Sequence, residues 1–525
     1  MSPAADTPPR AGVREWLGLT VLALPVLLLA LDLTVLHLAL PHLAADLNPS
    51  AVQQLWILDI YGFLVAGFLV TMGGLADRIG RRRLLLIGAA AFGLASLAAA
   101  FATSPAMLIA ARALLGVAGA TFTPSSLSLL SNMFRDPRQR GFAMAVWMAC
   151  FASGAAVGPS IGGLLLEWFW WGAVFLLGVP VMLLLLAAGP FLLPEYRSPD
   201  PGRLDPLSVL LSLVAILLVV YAVKDAAKDG WQLSTGAVLL AGLAAGWVFV
   251  RRQRGLDSPL VDLTLFRHRA FSVGLGTLLL CGVAGGSVVM LLSQYLQLMV
   301  GLSPLAAGLW LLPQGLASIP AALLAPALAT RIGPGRTTAL ATLCPAVGLL
   351  SLTQVGGDGG FGFAIAGSIV LSLGMGLGSA VMVDLVVNSA PKEKSGSASS
   401  VFETVGELGQ ATGIATLGAV ATAVYRFGIA DTVPEGTPRA AAEATRDSMP
   451  AAAAAAADLG GEAGDALLAA ARDAFATGIT TVGYVGAALL LLTAVMAWRY
   501  LPNTRTGDSE GSEDTELVGG GTRAD

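Results

Sequence analysis

Apolar residues in this chain fall in nearly unbroken blocks of about 20, the length an α-helix needs to cross the hydrocarbon core of a bilayer. The blocks lie at about 16–40, 53–75, 83–102, 106–130, 141–165, 169–193, 206–223, 234–250, 270–298, 306–329, 338–354, 361–388, 397–424 and 477–500. The pattern predicts fourteen spanning helices joined by short polar connections. The block at 234–250 is among the shortest, and Trp247 followed by Arg251 and Arg252 marks its end at a membrane interface. The first block is too long for a signal-peptide core, and no small-residue cleavage site stands out after it.

Composition agrees with a chain immersed in lipid. Of 525 residues, 55% are hydrophobic and 12% charged, whereas soluble domains carry roughly 25% charged residues. The expected class is an all-α polytopic membrane protein. His37, His42 and His268 are scattered, as are Cys150, Cys281 and Cys344, which excludes zinc fingers, haem attachment and a disulfide framework. No metal site is expected. An enzyme is disfavoured, because no nucleophile–base set, metal cluster or phosphate loop is present; Gly356–Gly360 reads as a turn between spans. A nucleic-acid partner is not expected, and no cofactor.

The distribution of Lys and Arg sets the orientation. With the N-terminus in the cytoplasm, the cytoplasmic loops hold Arg78 to Arg83, Arg135 to Arg140, Arg197 and Arg203, Arg251 to Arg269, Arg331 and Arg336, and Lys392 and Lys394. The opposite orientation contradicts the positive-inside rule almost everywhere. Both termini are therefore expected in the cytoplasm. The segment 425–476, rich in Ala and acidic residues, is expected outside as a partly helical surface loop, and the tail 502–525 as a disordered cytoplasmic segment.

An internal repeat is visible in two loops. Asp77-Arg-Ile-Gly-Arg-Arg-Arg83 follows the second span, and Arg331-Ile-Gly-Pro-Gly-Arg336 follows the tenth. Removing spans seven and eight puts both loops after the second span of a six-span half. The chain then divides into a half over 1–193, a two-helix insert over 204–250 and a half over 270–500.

Four motifs carry a family resemblance. Gly73-Gly-Leu-Ala-Asp77-Arg78-Ile-Gly80-Arg81-Arg82 resembles the loop 2–3 signature of the major facilitator superfamily. Leu108 to Ala120, with Arg112 and Gly116, is similar to its fourth-span motif. Gly154-Ala-Ala-Val-Gly158-Pro159-Ser-Ile-Gly162-Gly163 resembles the fifth-span motif of drug:proton antiporters. Leu31-Asp32-Leu-Thr34-Val-Leu-His37-Leu-Ala-Leu-Pro41 resembles the first-span motif of the fourteen-span branch, that of the QacA-type exporters of quaternary ammonium compounds and other drugs, with His37 where Asn is usual. The resemblance implies the major facilitator fold of two six-helix halves, here with a two-helix insert. It also implies that Asp77 and its Arg neighbours form an inner latch between the halves. Gly154, Gly158 and Gly162 share one helix face, suited to close packing; with Pro159 that face is expected to lie in a contact that slides as the halves rock.

Ionisable groups within spans are few: Asp32, Asp59, Arg112, Asp384, Glu403 and Glu407. Such groups face a pathway or a partner, since a charge near the bilayer centre costs roughly 2.5–3.5 kcal/mol on insertion scales. The surplus of acids suits protons and cations. Asp384 lies near the cytoplasmic end of its span and should reach water. Arg112 could pair with one acid. Glu403 and Glu407 are one turn apart on one face, so both cannot ionise cheaply and they should titrate as a unit. The resemblance supports Asp32, Asp59, Glu403 and Glu407 as proton-coupling or substrate-charge positions, with Asp32 and Glu407 facing a cavity between the halves. Near Pro313-Gln314-Gly-Leu-Ala-Ser318 no acid stands where some relatives that export divalent cations carry one.

The expected function is proton-driven efflux of lipophilic, cationic or neutral drugs, antibiotics or dyes by a monomer that alternates access between the two sides. The partners are then small lipophilic substrates, protons and the bilayer. The alternatives are a dedicated self-resistance exporter of one antibiotic, an importer of the same fold, and a membrane receptor or assembly factor that transports nothing.

Overall fold

The computed structural model describes residues 11–197, 205–230, 232–256, 259–261, 263–356, 359–388, 395–430, 432–434 and 436–501. The tail 502–525 and the loop 389–394 lie outside the described residues, as does the side chain of Asp384. Among the described residues, fourteen helices or paired helices are long and apolar enough to cross a membrane.

The first half is built from α1 (Val13–Leu47), α2 (Ala51–Ile79), α3 (Arg81–Ala100), α4 (Pro105–Gly119) continued by α5 (Phe122–Met133), α6 (Pro137–Trp168), and α7 (Ala173–Leu176) continued by α8 (Gly178–Leu192). The insert is the hairpin α9 (Pro206–Asp229) and α10 (Leu233–Gln253). The second half contains α11 (Arg269–Gly286) continued by α12 (Val288–Gln294), α13 (Pro304–Ile332), α14 (Pro334–Ser351), α15 (Gly360–Asn388) and α16 (Ser395–Ile429). Two short helices, α17 (Arg439–Asp447) and α18 (Met449–Leu459), precede α19 (Gly461–Tyr500), the last span.

The repeat is written into the ends of the second helix of each half. Ser50 caps α2 by accepting from the Gln53 amide, and Ser303 caps α13 by accepting from the Ala306 amide. At the other ends, Gly80 (φ 109°) and Gly333 (φ 90°) turn the chain directly into α3 and α14. These are conformations that an L side chain rarely adopts. The same pair of local signals thus opens and closes helices 253 positions apart.

The insert hairpin is pinned at one end by Arg252, whose Nε and Nη2 donate to the two Asp205 oxygens at 2.6 and 3.0 Å. Its helix α9 packs on both halves: Val220 is buried with Phe63 of α2 and with Ala411 and Ala415 of α16. Its partner α10 exposes Leu240, Leu243 and Trp247 along the lipid-facing side.

The segment 425–476, expected as a partly helical surface loop, does hold two short helices, but part of it belongs to the last span. Its Ala-rich end continues the last span, so that α19 begins at Gly461 rather than near 477. Ser448 caps α18 by accepting from the Ala451 amide. The two short helices find on the bundle the apolar contact they cannot make alone: Met449 and Ala452 are buried, and the Tyr425 hydroxyl donates to the Thr445 carbonyl at 2.7 Å. They also reach the first half, where the Ala51 amide donates to Asp447 at 3.1 Å and Gln54 Nε2 donates to Ser448 at 3.1 Å.

Candidate functional site

A cavity of about 250 Å³ lies between the halves. Its wall takes Thr34 and His37 from α1, Asp59 and Gly62 from α2, and Ala152, Ala155 and Ala156 from α6. The facing wall takes Gly282 and Gly286 from α11, Gln314 and Ser318 from α13, Ser372 and Met375 from α15, and Glu407 and Gln410 from α16. One acid therefore comes from each half, in a wall that mixes small and apolar residues with uncharged polar ones such as His37, Gln314 and Gln410.

The acids expected to act together are sorted into different places. Asp59 and Glu407 line the cavity. Glu403, one turn nearer the arginine-rich end of the bundle, is half-buried off the cavity wall. Asp32 does not face the cavity as expected. It is buried behind the wall, where Arg112 Nη1 donates to its Oδ2 at 2.5 Å. The physical reason is the buried guanidinium on α4, a charge that needs a partner on an adjacent helix. Arg112 spends its other donors on the α2 backbone, with Nε to the Ile57 carbonyl at 3.1 Å and Nη2 to the Leu58 carbonyl at 3.3 Å. Its plane lies 4.5 Å from the Tyr61 ring centroid. Gly116, one turn on from Arg112, allows this approach, since a Cβ there would stand 2.6 Å from the Tyr61 carbonyl oxygen. The fourth-span motif thus clamps α2 beside Asp59.

The fifth-span motif has two faces with different partners. Gly154, Gly158 and Gly162 lie against α1, where a Cβ would run into the Leu27 carbonyl, the Thr34 hydroxyl and Val35. This contact is internal to the first half, so it is not the sliding surface expected of it. The cross-half surface is the neighbouring face of α6. Gly163 abuts Pro304, a Cβ at Gly308 would stand 2.5 Å from the Pro159 carbonyl oxygen, and one at Gly315 would stand 2.6 Å from Ala156 Cα. Ser160 adds a hydrogen bond to the Gly308 carbonyl at 2.9 Å. Adjacent residues on a helix point about 100° apart, which is how Gly162 and Gly163 serve different neighbours.

In the loop after α2, Asp77 accepts from Arg81 Nη2 at 2.7 Å, the Arg81 guanidinium lies 5.0 Å from the Tyr196 ring centroid, and Arg82 stands 3.6 Å from Glu195. These contacts are within the first half. Gly73 faces Pro124 of α5. Outside the membrane-spanning helices, Asp205 is held down to about 2 by hydrogen bonds from Arg252 and Ser208.

Three wall positions, His37, Gln314 and Gly315, and the neighbouring seam residue Gly308 escaped the sequence reading. His37 was visible only as a departure from a motif, and Gln314 only as the place where an acid was missing. Gly308 and Gly315 carried a signal that could have been used, two glycines seven residues apart on one helix face.

A helical bundle of two halves enclosing an acid-lined cavity is the architecture of a secondary transporter. Residues 22–414 match the family model described as Major Facilitator Superfamily, and the chain belongs to that superfamily. It is 45% identical to the Multidrug efflux pump LfrA of Mycolicibacterium smegmatis over 93% of this chain and 96% of the relative. It is 35% identical to the Methyl viologen resistance protein SmvA of Salmonella typhimurium, over 92% and 98% of the two chains. To the Puromycin resistance protein pur8 of Streptomyces alboniger it is 32% identical over 95% and 94%. Among solved structures, a bacterial homologue of the human lysosomal transporter Spinster superposes with a TM-score of 0.62 at 15% identity, covering 94% of this chain and 100% of that one. A peptide transporter POT superposes with 0.62 at 17% identity, covering 92% and 94%. These two share the fold.

Proposed function

We propose that this protein is a proton-driven exporter of lipophilic cationic or neutral drugs, working by alternating access of the cavity between its halves. The observation that carries the reading is the pairing of Asp59 and Glu407 across one cavity, one acid from each half. The drug-efflux and drug-resistance names of relatives that match nearly the whole chain support it. Glu407 acts as a proton-coupling carboxylate, and Asp59 takes the counter-charge role that its position at the wall favours over Asp32. The Asp32–Arg112 pair holds α2 in register.

The arginine-rich end is the cytoplasmic one, by the positive-inside rule, with both termini on that side of the cytoplasmic membrane. On this orientation several contacts between halves among the described residues close the external end: Gly163 on Pro304, Ser293 donating to the His37 carbonyl at 2.9 Å, Gln297 donating to the Leu38 carbonyl at 3.2 Å, and Asp447 on the start of α2. The structure is then the externally closed member of the cycle. Asp77, which pairs with Arg81 of its own half here, latches the cytoplasmic end in the other.

Everted membrane vesicles test the reading. A fluorescent cationic dye should accumulate in vesicles containing the protein when a proton gradient is imposed, and an uncoupler should stop it. Accumulation that an uncoupler leaves untouched would contradict it.

A further inference from the structure

Two wall residues of the cavity are polar, deeply buried and without partners for one atom each. His37 is 4% exposed and its Nδ1 has no hydrogen-bond partner among the described residues; Gln314 is 8% exposed and its Oε1 has none. A buried acceptor left unpaired has given up its hydrogen bond to water with nothing in return, so a fold keeps such groups where something else completes them. They sit on α1 and α13, that is, on opposite halves, and both line the cavity that also holds Asp59 and Glu407. Each is re-aimed by rotation about its last side-chain bond, a broad two-fold torsion that needs no backbone movement.

The wall atoms left without a partner among the described residues are ones that accept. Gln314 Oε1 and the carboxylates of Asp59 and Glu407 accept hydrogen bonds, and imidazole nitrogen accepts when the proton is on the other ring atom. A fully alkylated ammonium satisfies the charge of the carboxylates but has no N–H to offer His37 or Gln314. A cation bearing N–H groups satisfies both.

Resting on the export reading above, we propose that His37 and Gln314 form a hydrogen-bonding subsite that selects cations whose amino substituents carry N–H donors, such as amino-substituted planar dyes, over cations of the same ring system whose amino substituents are fully alkylated. A ligand held by both residues bridges the halves beside the Gly315–Ala156 contact. The selection arises because the wrong ligand leaves buried acceptors unpaired, a form of discrimination stronger than that from apolar fit alone.

Proflavine and its N-tetramethylated analogue acridine orange form a test pair that shares a ring system and differs in exocyclic N–H groups. Binding of each to the detergent-purified full chain is read by fluorescence anisotropy. The wild type should prefer proflavine by about ten-fold, the effect of two neutral hydrogen bonds. The double variant His37→Leu, Gln314→Leu should bring the two affinities to within about two-fold, and the single, similarly sized Gln314→Met should lower the preference by about three-fold. His37→Asn, which keeps an acceptor, should retain most of it. The single variants keep the test decisive if the double variant does not fold. A preference unchanged in the folded variants, or no preference in the wild type, overturns the inference while uncoupler-sensitive efflux of either dye leaves the export reading standing. Absence of such efflux for both dyes strikes the export reading itself.

Discussion

Two seams join the halves, and the internal repeat makes them counterparts: α6 against α13, and α2 against α16, each the fifth helix of one half on the second of the other. They are built differently. The α6–α13 seam is backbone on backbone, with Gly163 against Pro304, Gly308 against Pro159, and Gly315 against Ala156. The α2–α16 seam has Gly62 near Ala411 and Gly418 near Leu55, with Phe63, Ala411 and Ala415 packed against Val220 of the insert. It is also the seam whose helices bring Asp59 and Glu407 to the cavity. One seam is smooth, built of small residues and backbone. The other carries the titratable chemistry and is buttressed from outside by a helix that its counterpart lacks.

The largest effect is expected where backbone meets backbone. Gly308→Leu has no side-chain neighbour that could move aside, only the Pro159 carbonyl and Ser160 Cα within 3 Å of the new Cβ. Efflux should fall by about five-fold to 150-fold, while the protein still inserts and a cysteine introduced at Leu305 becomes reactive to an impermeant maleimide in intact cells. That range follows from overpacking of ~1–3 kcal/mol acting on closure of the seam. Full efflux from Gly308→Leu would show that this seam does not close during transport.

Gly158→Leu should behave differently, because its neighbours Thr34 and Leu31 belong to the same half. The expected outcome is lower yield and an earlier thermal transition of the purified protein, by a destabilisation of ~1–3 kcal/mol, with any surviving molecules still pumping. Normal yield with abolished pumping would return the fifth-span glycine face to the sliding surface.

The smallest effect concerns the buttress. Asp205, whose carboxyl is held down to about 2 by Arg252 and Ser208, anchors the insert hairpin. A depressed carboxylate contributes stability that is present above its unfolded value of about 3.9 and is lost as pH falls through its folded value. The thermal transition of the wild type should therefore decline more steeply than that of Asp205→Asn as pH is lowered from about 4 toward 2. The difference should be slight, because water screens this pair. Parallel declines would remove the ion pair from the account of the hairpin.

Much of the fold was legible because lipid imposes a length on every apolar block and the repeat left Gly80 and Gly333 in matching loops. The extent of the last span was not, since the Ala-rich stretch before it has a helix propensity that apolar-block counting ignores. At the site, Asp59, Glu407 and Arg112 were legible as costly charges within spans. The partner of Asp32 was not, because Arg112 lies 80 residues away and its choice of acid depends on which helices touch. The two glycine faces of α6 were indistinguishable in sequence for the same reason: spacing reports a smooth face but not its neighbour.

The central claim is that Glu407, facing Asp59 across the cavity, couples proton movement to substrate. It is tested most directly by following proton movement in everted vesicles on dye addition to Glu407→Gln, beside dye binding to the same variant in detergent. The account predicts that Glu407→Gln binds dye to within a few-fold of the wild type and gives no dye-induced proton movement. Near-normal proton-coupled efflux from Glu407→Gln at every pH would contradict it and move the coupling to Asp59 or Asp32.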